Sequence, residues 1–184
     1  MGAAVASPDR FARFVLFNTA AFRASQCPWR IRVCRVPWLG RLAVEGLNLF
    51  ARAAIRMAVC RHERMTAAVR AGLLAPYDNW RHRVAIHQFV QDIPLHAGHP
   101  SYSTLERIEQ GLAPLGRHPV CLIWGMRDWC FTPAFLERFI EYFPRATVHR
   151  LAEAGHYVVE DAFEQIVPLV EDFLHANPLA SEGV

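Results

Sequence analysis

The sequence is 184 residues long, 53% hydrophobic and 20% charged, with a formal net charge of +3 at neutral pH. This length is enough for one domain with a hydrophobic core, and the hydrophobic content excludes wholesale intrinsic disorder. The arginines are spread along the chain and do not form a single basic stripe, so we do not expect a nucleic-acid partner.

The sequence also indicates a compartment and argues against a membrane span. The longest apolar stretch, residues 42–60, contains Glu45, Arg52 and Arg56, which are costly inside a bilayer. The five cysteines are odd in number and form no C-x-x-C pair, which is typical of free thiols in a reducing compartment. We therefore expect a cytoplasmic protein. The histidines have no companion ligands at metal-binding spacing, so neither a metal nor another cofactor is expected.

The first half of the chain contains one predicted strand followed by a helical region. The segment "RFVLFN", residues 13–18, is a short apolar run typical of a strand. Residues 19–100 show no convincing strand, and helical patterns at about 38–60 and 80–91 are separated by connections rich in Pro, Gly and Arg. In the segment "SYSTLERIEQGL" that follows, Ser103 and Glu106 have capping-box spacing, which predicts a further helix.

Two more strands and a helix between them are predicted in the second half. The runs "PVCLIW" at 119–124 and "ATVHRL" at 146–151 read as strands, and the continuous apolar run in the former indicates a strand buried on both faces. Between them Thr132 is placed to cap a helix whose first residue would be Pro133. This strand, helix, strand order predicts an α/β fold with a parallel sheet.

The last predicted helix covers the segment "DAFEQIVPLVEDFL", residues 161–174. Asp161 and Glu164 have capping-box spacing, and Pro168 is expected to kink the helix. We interpret Glu160 and Asp161 as acidic residues that complement the helix dipole and have no catalytic role.

Asp128 and His156 are the candidate catalytic pair. Asp128 follows the second predicted strand and His156 follows the third, and ligands of open α/β sheets bind at the carboxyl ends of the strands. A carboxylate beside a histidine fixes the imidazole tautomer and stabilises the imidazolium formed when the histidine acts as a base. Taken singly, each residue is equally typical of a turn or an exposed loop, so the interpretation depends on the pair.

These residues lie in a segment that resembles a known family. The stretches "WGMRDWCF" and "RLAEAGHYVVEDAF" resemble the C-terminal end of an α/β-hydrolase, in the branch of haloalkane dehalogenases and the β-lactone decarboxylases of olefin synthesis. In that pattern the aspartate of G-x-x-D is the triad acid and the histidine of A-G-H is the general base, which implies these roles for Asp128 and His156. The segments 14–22 and 75–95 resemble the entry to the family's helical cap and its exit.

The resemblance implies the C-terminal part of an α/β-hydrolase, with parallel strands, covering helices and an inserted cap. It assigns residues 1–19 to the end of the helix that follows the nucleophile and the next core strand. Residues 20–100 would be the cap, and residues 101–184 the C-terminal core with the acid and base loops. The implied reaction is covalent catalysis on a hydrophobic small molecule that carries a carbon–halide bond, an ester or a β-lactone.

The nucleophile of such an enzyme is missing from the sequence. No G-x-[SD]-x-G elbow occurs, and five serines lack flanking glycines, namely Ser7, Ser25, Ser101, Ser103 and Ser181. We therefore expect the nucleophile upstream of Met1, in a chain that is a C-terminal fragment and inactive alone. The absent N-terminal half of the same fold would be its partner. The alternative is a non-catalytic truncated paralogue or a binding module that keeps the cap and rim of the fold.

Several aromatic residues are candidates for the substrate pocket. They are Trp129, next to Asp128, and four residues of the presumed cap: Trp38, Phe50, Trp80 and Phe89. Aromatic and apolar side chains line most small-molecule pockets, so these residues suggest a hydrophobic substrate. Ordinary core packing explains each of them equally well.

Overall fold

A three-stranded parallel sheet is the centre of the fold. The computed structural model describes residues 1–24 and 27–179. The strands are β1 (Phe14–Phe17), β2 (Val120–Gly125) and β3 (Thr147–Leu151), in the spatial order β1-β2-β3. Both strand pairs are parallel. Each strand begins within one residue of its predicted start, so the α/β expectation is confirmed.

The middle strand, β2, is buried on both faces, as its apolar run predicts. Successive side chains of a strand point to opposite faces of the sheet. Leu122 and Trp124 pack in one cluster that includes Leu112 and Phe139, and Cys121 and Ile123 pack in a second cluster that includes Ile166. Both layers of the core therefore meet at β2, and the residues that follow β2 start from a rigid position.

Ten α-helices are present in the described residues. They are α1 (Gly2–Ala6), α2 (Trp29–Val33), α3 (Leu39–Arg41), α4 (Leu49–Met57), α5 (Ala67–Leu74), α6 (Trp80–Gln91), α7 (Tyr102–Gln110), α8 (Leu112–Leu115), α9 (Pro133–Tyr142) and α10 (Val158–Ala176). Three 3-10 turns, Pro8–Arg10, His62–Arg64 and Ala75–Tyr77, and one π-helical turn, Leu42–Gly46, complete the regular structure. None of these helices is long and apolar enough to cross a membrane.

Helices α2 to α6 form an insertion between β1 and β2, which we call the helical insertion, residues 29–91. The helix predicted at 38–60 is broken there, because Asn48 adopts a left-handed conformation with φ 54°. Asparagine tolerates this region better than most residues. Helix α5 forms in a stretch predicted as a connection, and Thr66 caps it by accepting from the Val69 amide at 3.3 Å.

The helix starts of the second half differ in detail from the prediction. Ser103 lies inside α7, which begins at Tyr102, so the capping box with Glu106 does not form. Thr132 does precede α9 and Pro133 is its first residue, but the Thr132 side chain makes no cap hydrogen bond. Helix α10 begins at Val158, three residues earlier than predicted, and its break lies at Ala162 and not at Pro168.

Candidate active site

His156 lies in the loop between β3 and α10, which we call the histidine loop, residues 152–157. Its Nδ1 atom is 2.8 Å from Oδ2 of Asp128, in the loop after β2. The carboxyl ends of parallel strands share one edge of the sheet, which explains why residues 28 positions apart meet. With Nδ1–H donating to the carboxylate, Nε2 is left free to accept a proton, a tautomer that we assign from this contact.

Asp128 is almost completely buried and accepts three hydrogen bonds. Besides His156, its donors are the Asn18 side-chain amide at 2.7 Å and the Cys130 backbone amide at 2.6 Å. Burial alone would raise the pKa of Asp128, but the bonds from His156, Asn18 and Cys130 outweigh it and hold the pKa below its ordinary value. The carboxylate is therefore in the charged form that stabilises an imidazolium.

Asn18 is a site residue that the sequence interpretation missed. It follows β1, so it reaches the same sheet edge as the other two loops. Its Oδ1 accepts from the Gly125 amide at 2.8 Å while its Nδ2 donates to Asp128. Its position in the sequence could have indicated this role, because Asn18 is the polar residue that directly follows the first strand, β1.

The loops after β2 and β3 approach each other closely at two glycines. A Cβ atom built on Gly125 would lie 2.3 Å from the Gly155 carbonyl oxygen, which no side chain could occupy. The backbone at Gly125 therefore requires glycine, and the contact brings Asp128 within reach of His156.

Asp161 fastens the histidine loop to the helical insertion. This fully buried carboxylate accepts from the backbone amides of Gly155 at 2.7 Å, Cys60 at 3.0 Å and Arg61 at 2.8 Å. The Tyr157 amide donates to the Ala58 carbonyl at 2.8 Å, so both neighbours of His156 are held. The predicted capping box led by Asp161 was wrong, because Asp161 lies in the first turn of α10 and its oxygens accept from amides outside that helix.

A cavity of about 260 Å³ lies beside His156. Its lining includes Phe17, Leu73 and Val158 together with Asn18 and Tyr157. The Phe131 ring packs against the imidazole, with centroids 5.5 Å apart. The surroundings of the histidine are thus mostly apolar, which suits a hydrophobic ligand.

The candidate pocket aromatics lie elsewhere. Trp129 is partly buried and donates from its indole nitrogen to the Met57 carbonyl at 2.7 Å. This hydrogen bond connects the loop after β2 to the helical insertion. Trp38, Trp80 and Phe89 are exposed, and Phe50 is partly buried. None of the five is among the residues described as lining the cavity beside His156. A role for them in substrate binding stays a prediction.

Comparison with known proteins identifies the fold to which this site belongs. The structure superposes on an ancestral haloalkane dehalogenase with a TM-score of 0.81 and 25% identity, over 95% of this chain and 63% of that one. A loop variant of the haloalkane dehalogenase from Bradyrhizobium elkanii gives a TM-score of 0.80 at 19% identity, over 95% and 62% of the two chains. The chain therefore has the α/β-hydrolase fold.

Curated sequence relatives of this chain carry the names of two kinds of enzyme. It is 41% identical over 170 residues to the cis-3-alkyl-4-alkyloxetan-2-one decarboxylase of Xanthomonas campestris, which covers 91% of this chain and 56% of the relative. It is 34% identical to the enzyme of the same name from Shewanella oneidensis, over 95% of this chain and 55% of that one. Haloalkane dehalogenase 2 of Mycobacterium tuberculosis is 30% identical, over 92% and 58%. No protein-family profile matches the chain.

The α/β-hydrolase chain spans a little over half of the length of these curated relatives. It corresponds to the C-terminal portion of their fold, as the resemblance implied. The serines Ser25 and Ser181 lie outside the described residues. No G-x-[SD]-x-G sequence occurs anywhere in the 184 residues.

The thiols next to the site are poor candidates for a nucleophile in this α/β-hydrolase chain. Burial, followed by the nearby charge of Asp128, raises the pKa of Cys130 to about 12. A thiol with this pKa is almost entirely protonated at neutral pH, and the thiolate is the nucleophilic form. Across residues 1–24 and 27–179, no group of three or more His, Cys, Asp or Glu side chains is arranged to hold a metal ion.

Proposed function

We propose that this chain provides the acid and the base of an α/β-hydrolase enzyme that acts on a hydrophobic small molecule. The observation that carries the proposal is the hydrogen bond from His156 Nδ1 to the buried Asp128 carboxylate. It lies at the sheet edge where Asn18 also contacts Asp128. This is the base and orienting acid of a nucleophile–histidine–acid triad.

Each residue has a defined role in the proposed mechanism. His156 Nε2 takes a proton from water or the nucleophile, or returns one to a leaving group. Asp128 keeps Nδ1 protonated and stabilises the imidazolium, and Asn18 keeps the carboxylate in place without adding charge. The nucleophile, an aspartate or a serine on an elbow, is supplied from outside these 184 residues.

The relatives and the apolar cavity beside His156 support a proposal for the substrate class. Two relatives carry the name of a decarboxylase of 3,4-dialkyl oxetan-2-ones, which are four-membered β-lactones with two alkyl chains. Loss of CO2 from this ring breaks the C2–C3 and O1–C4 bonds and leaves an alkene between C3 and C4. No water is consumed, whereas hydrolysis of the same ring would give a β-hydroxy acid. We propose a dialkyl β-lactone as the preferred substrate and alkene with CO2 as the products.

A hybrid protein tests the proposal. The part of the Xanthomonas relative that this chain does not match is joined to the 184 residues, and turnover of a cis-dialkyl oxetan-2-one is followed by mass spectrometry. We expect alkene from the hybrid, loss of the alkene in His156→Ala, and no turnover by the 184-residue chain alone. A hybrid that melts cooperatively but gives no product, or whose turnover survives His156→Ala, would contradict the proposed roles.

A second candidate is a non-catalytic module that keeps the rim of the fold. The absence of any G-x-[SD]-x-G sequence favours it. If the chain is such a module, the isolated chain should bind a dialkyl β-lactone without turnover, and His156→Ala should leave that affinity unchanged. Isothermal titration with the lactone measures this affinity in the parent chain and in His156→Ala. A working hybrid enzyme would exclude the second candidate.

A further inference from the structure

Charge is distributed unevenly along the chain, although the arginines do not form one continuous basic run. Residues 27–91 contain eleven arginines but only three acidic residues, Glu45, Glu63 and Asp78. The rest of the chain contains nine arginines and fourteen acidic residues. The helical insertion is therefore strongly cationic, whereas the α/β layer is acidic. A cationic surface attracts an anionic partner and repels a cationic one.

The basic insertion also exposes large apolar side chains in one short segment. We call residues 29–42, "WRIRVCRVPWLGRL", the Trp/Arg segment. Trp29 is 69% exposed and Trp38 is 84% exposed. The other exposed apolar residues of the segment are Val33, Val36, Leu39 and Leu42. The segment contains no acidic residue.

A tight turn connects the two helices of the segment. The Gly40 amide donates to the Val36 carbonyl at 2.8 Å, and a Cβ atom on Gly40 would lie 2.1 Å from the Cys34 carbonyl oxygen. The backbone of α3 thereby lies against the carboxyl end of α2, whose C-cap is Cys34. At the tip, Trp38 has φ 61° and ψ −52°, and the Leu39 amide donates to the Pro37 carbonyl at 2.6 Å. A bulky residue at positive φ is strained, and the Trp38 side chain at this position is exposed to solvent.

The arginines of the segment are not neutralised by carboxylates. Within the described residues, Arg30, Arg32 and Arg35 have no acidic group within ion-pair distance, although Arg41 pairs with Glu45 at 3.1 Å. Arg35 donates instead to the Val90 and Ile93 carbonyls. The Arg30 guanidinium lies 5.4 Å from the Trp29 ring centroid and 5.1 Å from that of Trp129. The segment therefore presents positive charge and aromatic rings together.

We propose that the Trp/Arg segment is a docking site for the surface of an anionic lipid bilayer. Tryptophan and aliphatic side chains enter the headgroup region while arginines pair with lipid phosphates, which is how interfacial protein segments bind without spanning a membrane. Under the proposed function, on which this consequence depends, a β-lactone with two alkyl chains would dissolve in the same bilayer. The Trp29–Trp129 neighbourhood, beside Asp128, would then face the source of the substrate.

Vesicle flotation tests the docking site without any need for turnover. The 184-residue chain is mixed with vesicles of phosphatidylcholine alone, or of equal parts phosphatidylcholine and phosphatidylglycerol. We expect flotation with the anionic vesicles only, and its loss as salt is raised. The double variant Arg30→Gln, Arg32→Gln should bind roughly thirtyfold more weakly, since each basic side chain near an anionic surface adds about a factor of five.

Matched variants show whether binding belongs to this segment. The double variant Arg117→Gln, Arg145→Gln makes the same charge change on exposed residues of the α/β layer and should float like the parent chain. Trp38→Ser should weaken flotation, whereas Val167→Ser, at an apolar position of α10 that is half exposed, should not. Equal flotation of both arginine variants, or equal binding to both vesicles, would overturn the proposal.

The same variants exclude other occupants of the segment. A dimer that dissociates in Trp38→Ser, seen by light scattering, would assign the surface to a second copy of the chain. The hybrid protein is floated in parallel. A hybrid that remains unbound while the 184-residue chain floats would show that the rest of the fold covers the segment. Either result contradicts lipid docking, and neither depends on whether the hybrid is an active enzyme.

Discussion

The histidine loop and the turn around Trp38 in the Trp/Arg segment are both irregular, yet they are built in opposite ways. The two neighbours of His156 donate their backbone amides to the buried Asp161 carboxylate and to the Ala58 carbonyl. The loop around Trp38 is held by hydrogen bonds within itself, and its largest side chain is 84% exposed.

The fold determines side-chain position in the histidine loop but not at Trp38. A catalytic histidine acts only if its nitrogen is held within a fraction of an ångström, and contacts to rigid elements provide this. A surface that binds a fluid partner needs exposure and charge instead of exact placement. Substitutions in the two loops should therefore have very different effects, and the following experiments rank them.

The largest expected effect is that of Asp128→Asn on turnover in the hybrid protein. The amide keeps the shape of the side chain but cannot stabilise an imidazolium and favours the wrong imidazole tautomer. We expect kcat to fall by about 10⁴-fold, as for the corresponding change in other triads, with little change in KM. Steady-state kinetics measure this. An active variant within tenfold of the parent would remove Asp128 from the mechanism.

Trp124→Ala should be the most destabilising of the structural changes. Trp124 is fully buried in β2, and its indole nitrogen donates to the Phe131 carbonyl at 2.9 Å, next to the ring that packs on His156. Removal of a buried aromatic side chain costs about 3–5 kcal/mol of unfolding free energy. Urea denaturation of the chain measures it. A loss below 1 kcal/mol would show that the sheet does not support the loop as described.

Asp161→Asn tests the connection between the two regions. The amide offers one acceptor oxygen, so its nitrogen faces either the Gly155 amide or the Cys60 and Arg61 amides. We expect a loss of about 1–3 kcal/mol, typical of a buried donor left without a partner. Amide hydrogen exchange at these three residues should accelerate. Asp172→Asn, on an exposed position of the same helix, is the control and should leave both measurements unchanged.

Acid should remove part of the stability that Asp128 provides. The folded-state pKa of Asp128 is lowered, so its contribution is complete above the unfolded-state value of about 4 and disappears as pH falls through the folded-state value. The urea midpoint of the parent chain should therefore fall towards that of Asp128→Asn below about pH 4, and the two should differ most at neutral pH. A difference that grows in acid would contradict a lowered pKa.

The sequence was sufficient to predict the sheet and the contact between the loops that carry Asp128 and His156. Continuous apolar runs mark buried strands, and the carboxyl ends of parallel strands converge, so Asp128 and His156 could be matched without coordinates. The roles of Asn18 and Asp161 could not be foreseen in this way. Both depend on backbone amides brought together by tertiary contacts between Gly125, Gly155 and the end of α4, which local spacing does not encode.

The helical insertion was predicted less well for a related reason. Its helices are short, and periodicity alone cannot distinguish a continuous helix at 38–60 from two helices broken at Asn48. The apolar residues there were interpreted as core or pocket residues because hydrophobic side chains are usually buried. Trp38 and Phe89 are exposed instead, and only tertiary structure shows that no element covers them within the described residues.

Trp38→Ala should have the smallest effect on stability, although it is the same change as Trp124→Ala. An exposed side chain contributes little burial, so we expect the free energy of unfolding to change by less than about 0.5 kcal/mol.

Trp38→Gly should then be more stable than Trp38→Ala by about 1 kcal/mol, because glycine adopts φ 61° without the clash that strains other residues. Urea denaturation of both variants provides the comparison. Equal stability of the two would show that the backbone at Trp38 is unstrained, and a loss near that of Trp124→Ala would show that the indole is buried. Weaker flotation on anionic vesicles together with unchanged stability would assign the side chain to binding and not to folding.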